Sequence, residues 1–221
     1  MTTLVTGGAR GIGRALTEAL AARGEPVIAT YRGTAPTELA GTARWLAAEM
    51  TDPASIAALG AAVPGALDTL ICNAGVLKDR HEKLDTGYPP ALWAEMFAVN
   101  VTGVFLTIQA LLPALRRAKA GKIMILSSQM ASSTRAPGGS YIYRASKAAV
   151  LNLGRNLAAD LKDEGIAVGI YHPGWVQTEM GGPAATITPE VSAAGLIDRL
   201  AALSPATTGC FETWDGTPHP F

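Results

Sequence analysis

Short apolar, partly β-branched runs alternate with longer helical patterns almost from end to end of this 221-residue chain, and no other feature limits the possible folds as strongly. "TLVT" at residues 3–6 reads as a strand, and "GRALTEALAARG" after it as a helix stopped by Gly24. "PVIATY" is a second strand and "ARWLAAE" a weaker third. "DPASIAALGAAV" opens with the helix-start residues Asp52 and Pro53. The apolar core of "LDTLICNAG" predicts a fourth strand buried on both faces. The run "PPALWAEMFAVNVTGVFLTIQALLPALRRA" predicts two helices meeting near Asn100. "GKIMILSS" is a fifth strand, followed by a helix to about Glu164, a sixth strand "IAVGIYHPG", a helix "TPEVSAAGLIDRLAAL" and a short last strand "GCFETW". Crossovers of this length require parallel strands with helices on both sides. The expected fold is therefore α/β: a single-domain Rossmann arrangement, doubly wound, with a mostly parallel seven-stranded sheet. With no repeat, low-complexity tract or linker in sight, residues 1–221 are expected to form one domain.

Composition agrees with a sheet covered on both faces, with 48% apolar and 16% charged residues. The formal net charge is zero and the basic residues are dispersed, which argues against a nucleic-acid partner. The two cysteines, Cys72 and Cys210, form neither a disulfide framework nor, with the histidines, a metal-ligand pattern, so no metal is expected. "MTTLVTGGARG" lacks a charged segment followed by an apolar one, and no run of about 18 uninterrupted apolar residues exists. The chain is expected to be cytoplasmic, with no membrane association.

"TGGARGIG", residues 6–13, lies between the first strand and the first helix. Gly7 permits a tight turn, and Gly11 and Gly13 permit close approach of backbone to a ligand and of helix to strand. The helix N-terminus behind them offers unpaired N–H groups and the positive end of a dipole, a seat for pyrophosphate. The spacing TGxxxGxG differs from GxGxxG, but its position in the first turn of an alternating α/β chain favours dinucleotide binding over a plain turn.

"SYIYRASKAAV", residues 140–150, holds two tyrosines ahead of a lysine. A helix advances about 100° per residue, so Tyr143 and Lys147 share a face while Tyr141 points away from Lys147. Helix geometry alone therefore lets only Tyr143 share a pocket with the Lys147 ammonium. A nearby cation favours the phenolate and is expected to lower the tyrosine pKa from about 10 toward useful acid/base values.

The ordered set "TGGARGIG", "CNAG" (72–75), "NVTG" (100–103), "SS" (127–128), "YRASK" (143–147) and "HPGWVQT" (172–178) resembles the short-chain dehydrogenase/reductase family over nearly the whole chain. "GIYHPGWVQTEMGGPAA" and "GCFETWDG" resemble the compact C-factor and sniffer-type carbonyl reductases. The resemblance implies Tyr143 as acid/base, Lys147 as its partner and a ligand of the nicotinamide ribose, Ser128 as the hydroxyl that positions the carbonyl, and Asn100 in a proton relay. Asn100 read locally could equally cap or kink a helix. Ser128 stands fifteen residues before Tyr143 rather than the family's thirteen. Thirteen back from Tyr143 is Met130, and Tyr141 has Ala145 rather than lysine four residues on, so a two-residue loop insertion is expected. Cofactor contacts implied by the resemblance are Gly7, Arg10, Gly11, Ile12 and Gly13 in the first turn, Glu49 and Met50 after the third strand, and Asn73, Ala74 and Gly75 after the fourth. Tyr143 and Lys147 also belong to them, as do Pro173, Gly174, Val176 and Thr178 after the sixth strand.

The end of the second strand, "VIATYRG", selects the cofactor. An NAD-preferring fold places a carboxylate there to bond both ribose hydroxyls, whereas this chain has Thr30, Tyr31 and Arg32, with no Asp or Glu between Glu25 and Glu38. Arg32, with Arg10 as a second charge, is suited to a 2′-phosphate, so NADP(H) is expected over NAD(H). The function expected is hydride transfer between the nicotinamide and a small carbonyl or alcohol. Two alternatives are a dinucleotide-sensing regulatory protein, for which the Asn100–Ser128–Tyr143–Lys147 set would be superfluous, and a ketoacyl reductase acting on an acyl carrier. The latter would need a docking patch from Lys78, Arg80, Lys83, Arg116, Arg117 and Lys119. The helices after Asn100 and Tyr143 are apolar beyond one stripe, which predicts a homodimer or homotetramer.

Overall fold

The computed structural model describes residues 1–39 and 41–221. Each apolar run of the sequence becomes a strand: β1 (Thr3–Val5), β2 (Val27–Tyr31), β3 (Arg44–Ala47), β4 (Thr69–Cys72), β5 (Lys122–Leu126), β6 (Ala167–His172) and β7 (Phe211–Thr213). The helices between them are α1 (Gly11–Ala22), α2 (Pro53–Ala61), α3 (Pro90–Phe97), α4 (Gly103–Arg116), α5 (Tyr141–Leu161) and α6 (Pro189–Ala202). The strands form one sheet in the order β3-β2-β1-β4-β5-β6-β7, every pair parallel. This is the doubly wound Rossmann arrangement expected from the alternation. The order reverses between β1 and β4, so a crevice opens beyond their carboxyl ends, where such folds bind ligands.

Alternate residues of a strand face opposite layers. Leu4, Leu70, Cys72, Ile123 and Ile125 point into one core with Ile56, Leu59, Ile108, Leu111 and Val150 from α2, α4 and α5. Val5, Ile71, Met124 and Leu126 point into the other, against Leu16 and Leu20 of α1 and Leu196 and Ile197 of α6. Both faces being covered explains why these strands read as unbroken apolar runs.

The two helices expected to meet near Asn100 do so without a break. α3 passes into α4 through a single π turn, Ala98–Thr102. Such turns widen the backbone ladder and are frequent at functional positions. The resulting helical run, Pro90–Arg116, contains an 18-residue window of mean hydropathy 1.7, long and apolar enough for a membrane span. Half of that window is buried, and α4 lies against α2 and the sheet, which accounts for the composition as a core helix. The α5 helix ends at Leu161, a little short of the Glu164 expected, and a 3-10 turn, Lys162–Glu164, completes it.

Candidate active site

The glycine turn is held by β2 and β4 rather than by itself. Gly7 adopts φ 66°, a left-handed conformation that favours glycine, and its N–H donates to Thr30 Oγ1 at 2.9 Å. Asn73 Nδ2 donates to the carbonyls of Thr6 and Gly7 at 2.8 and 3.1 Å, while Thr6 Oγ1 accepts from the N–H groups of Asn73 and Ala74 at 3.0 and 3.1 Å. A Cβ at Gly13 would stand 2.2 Å from the Gly7 carbonyl oxygen, so helix and loop can approach this closely only with glycine there. α1 begins at Gly11 behind an extended Arg10 whose side chain makes no capping bond. The first-turn N–H groups are thus left for a ligand.

The turn forms one wall of a cleft of about 900 Å³ that runs from β2 to α5 across the ends of β1 and β4. Of the residues named from the sequence, Gly7, Arg10, Gly11, Ile12, Arg32, Glu49, Met50, Asn73, Ala74, Gly75, Pro173 and Thr178 line it, together with Tyr143 and Lys147. Gly13, Asn100, Ser128, Gly174 and Val176 do not, and Ser127 does. Gly13 is spent on the helix–loop approach, Gly174 (φ 89°) turns the chain beneath Ile187 and Trp214, and Val176 is buried in a bridge to Ile187. Thr178 faces the turn, its Cγ2 lying 3.3 Å from where a Gly11 Cβ would be.

At the β2 end, Arg32 Nη1 lies 3.8 Å from Glu49 Oε2, both side chains partly exposed. Arg10, expected to supply a second phosphate charge, is instead paired with Glu179 across the mouth of the cleft. That pair is highly exposed and so weak enough to exchange for another anion.

At the inner end, α5 brings Tyr143 and Lys147 together as its period requires, with the Lys147 ammonium 5.6 Å from the Tyr143 ring centre. Tyr143 is only 8% exposed, whereas Tyr141 is 38% exposed and stacks edge-on against Tyr88 at 5.2 Å. The adjacent serines diverge: Ser127 Oγ donates to the Lys147 carbonyl at 2.9 Å, while Ser128 accepts from Met130 N–H at 3.1 Å and faces the Tyr143 hydroxyl. Between Ser128 and Tyr143 the chain runs through residues 133–139, all exposed. Asn100, fully buried in the π turn, accepts from Val76 N–H at 2.8 Å and donates to the Val76 carbonyl and to Ser146 Oγ at 2.9 and 3.0 Å. A Gly75 Cβ would come within 3.3 Å of Asn100 Oδ1 and 3.4 Å of Lys147 Nζ, so Gly75 lets the two reach the same point.

The electrostatics differ from the expectation in one respect. Burial pushes Tyr143 up to about 12, against a counter-effect from Ser128, and Lys147 is not among the groups that move it. The Lys147 ammonium donates to the Leu126 carbonyl at 2.9 Å, and burial brings its own pKa down to about 8. Loss of solvent outweighs the neighbouring cation at this distance. Sequence reading also passed over Thr6 and Thr30, which lock the turn, and Asp79, which is buried at the start of α5. The threonines sit at the ends of β1 and β2, where such a lock could have been sought; Asp79 carries no local signal.

The model of the short chain dehydrogenase family matches residues 1–186. The C-signal protein of Myxococcus xanthus is 37% identical over 158 residues, covering 71% of this chain and 94% of that one. An NADPH-bound carbonyl reductase from chicken fatty liver matches with a TM-score of 0.92 and 31% identity, over 100% of this chain and 98% of that chain. The carbonyl reductase Sniffer of D. melanogaster matches with a TM-score of 0.93 and 25% identity, over 100% of this chain and 99% of that one. Glycine turn, cleft and tyrosine–lysine pair thus occur in a chain that belongs to the short-chain dehydrogenase family.

Proposed function

We propose that the protein is an NADP(H)-dependent oxidoreductase that interconverts a small carbonyl compound and its alcohol. The observation that carries this reading is the pairing of Tyr143 and Lys147 at the inner end of a dinucleotide-sized cleft whose outer end presents Arg32 and no carboxylate from β2, with Ser128 beside the Tyr143 hydroxyl. The cradle fits the cofactor: glycines where a Cβ would collide, an uncapped helix start for the pyrophosphate, and the Lys147 ammonium at the nicotinamide end. The likeness to an NADPH-bound carbonyl reductase supports the same choice.

A nicotinamide held in this cradle would supply hydride to the carbonyl carbon. Negative charge then develops on the carbonyl oxygen, which Ser128 holds by donating a hydrogen bond. Tyr143 delivers the proton to that oxygen, and burial, which raises its pKa, leaves the hydroxyl protonated through the neutral range. Asn100 pins the backbone of Val76 beside the ammonium and so fixes the wall against which substrate and nicotinamide meet.

The basic residues suited to a carrier-protein patch are mostly engaged: Lys78 with Glu95, Arg80 with the Met180 carbonyl, Arg116 with Glu164, and Arg117 with the Val63 and Gly65 carbonyls. Free small carbonyls are therefore the better substrates to try first. A panel of aldehydes, ketones and quinones, followed by loss of NADPH absorbance, tests the reading. Turnover of at least one class is expected. NADPH binding without turnover of any would favour the sensing role instead.

The chain is further proposed to self-associate through α4 and α5. Phe105 is 39% exposed on α4, and Leu106, Leu112, Leu153 and Leu157 are only half buried along the two helices. Light scattering at micromolar concentration is expected to give at least twice the chain mass; a monomer there would refute the assignment.

A further inference from the structure

The catalytic helix starts without a cap of its own. Ser140, at the N-cap position of α5, has φ 45° and its side chain makes no capping bond. The cap comes instead from Asp79, on the loop between β4 and α3. Asp79 Oδ2 accepts from the N–H groups of Ile142 and Tyr143 at 2.8 and 3.1 Å, across 63 and 64 residues of chain. A capping carboxylate satisfies first-turn N–H groups and complements the helix dipole.

Two further observations separate Asp79 from an ordinary cap. The side chain is 0% exposed, and its second oxygen, Oδ1, is buried without a hydrogen-bond partner. A carboxylate held this way is costly unless something compensates for it. The same loop also docks elsewhere on the first turn of α5: Tyr88, at φ 62°, stacks on Tyr141, and Val76, Leu77 and Tyr88 pack with Ile142 and Tyr143.

We propose that Asp79 is a positioning residue for Tyr143. It fixes the backbone of the catalytic tyrosine to the substrate-side loop. Asp79 opposes ionisation of the Tyr143 hydroxyl, whereas Arg80, the next residue, and Ser128 favour it. The Lys147 ammonium lies over the ring and is turned to the Leu126 carbonyl. One loop thus supplies two opposed charges, and the buried one adds in the same direction as burial, which is the larger effect.

The inference rests on the role given to Tyr143, and the experiment separates the two. Asp79→Asn keeps an acceptor for both N–H groups and removes the charge; Asp79→Ala removes both. In Asp79→Asn, the rising limb of the pH profile for alcohol oxidation is expected to move to lower pH, because the phenolate is no longer opposed. Its kcat for reduction is expected to stay within about threefold of wild type. Asp79→Ala is expected to show the same shift and to lose about tenfold or more in kcat, because the tyrosine is no longer held in place. NADPH affinity should be unchanged in both. An unmoved limb in Asp79→Asn, or losses in both variants that only track the folded fraction seen by circular dichroism, would overturn the proposal. Tyr143→Phe is the control. If it is inactive while the Asp79→Asn limb stays put, only the Asp79 assignment fails; if it keeps turnover, both readings fail together.

Discussion

Replacing Tyr143 by phenylalanine is expected to reduce kcat by about 10²–10⁴-fold, whereas the same change at Tyr141 is expected to keep most of the activity. The two positions point about 200° apart, two helical steps of about 100° each, and the fold converts that into different environments. Tyr143 is buried at the inner end of the cleft, facing Ser128, with Lys147 over its ring. Tyr141 is on the outer side, against Tyr88. Only Tyr143 can hand a proton to an oxygen held by Ser128. Removing one hydroxyl does not disturb the glycine turn or Arg32, so the dissociation constant for NADPH should barely change. Steady-state kinetics with a fluorescence titration of the cofactor checks both halves of the claim. Equal losses for the two substitutions would refute the assignment of the tyrosines.

Arg32→Ala is expected to weaken NADPH binding by about 10- to 100-fold and to leave NADH nearly untouched. One charge-assisted bond contributes about 1.5–3 kcal/mol, which corresponds to that range in affinity. The last buried position of β2, Thr30, is already committed to Gly7 N–H and cannot serve the ribose. Arg32 lies at the cleft edge, its guanidinium near Glu49 Oε2 at 3.8 Å. A doubly charged phosphate competes easily for a guanidinium held so loosely. Arg10 would have to leave Glu179 to help, so Arg10→Ala should cost less than Arg32→Ala. Titration of both reduced cofactors into wild type and variants decides this. An unchanged NADPH-to-NADH ratio in Arg32→Ala would show that another group reads the phosphate.

The fold was legible because its signals are local and repeated. The near-continuous burial of β1, β4 and β5, with alternate residues facing opposite cores, follows from apolar runs that must be covered on both faces. The glycine turn declared itself through Gly7 and Gly13, where backbone conformation and close approach leave no room for a side chain. Tyr143 and Lys147 could be paired from their spacing of four, since a helix imposes that geometry wherever it sits. The choice of Ser128 over Ser127 needed family resemblance; Ser127 Oγ lines the cleft and donates to the Lys147 carbonyl.

By itself, then, the sequence determined the order of elements, the parallel sheet, the turn that seats a dinucleotide, and which tyrosine shares a face with the lysine. Tertiary structure decided everything that depends on what packs against those elements. Burial, and not the lysine, sets Tyr143 near 12; the Lys147 ammonium turns to a carbonyl on β5; Arg10 pairs with a residue 169 positions away; and Asp79 caps a helix 63 residues on. The physical reason is range. Backbone periodicity and glycine conformation act within a few residues, whereas desolvation and a buried carboxylate's partners are fixed only when distant segments close over them.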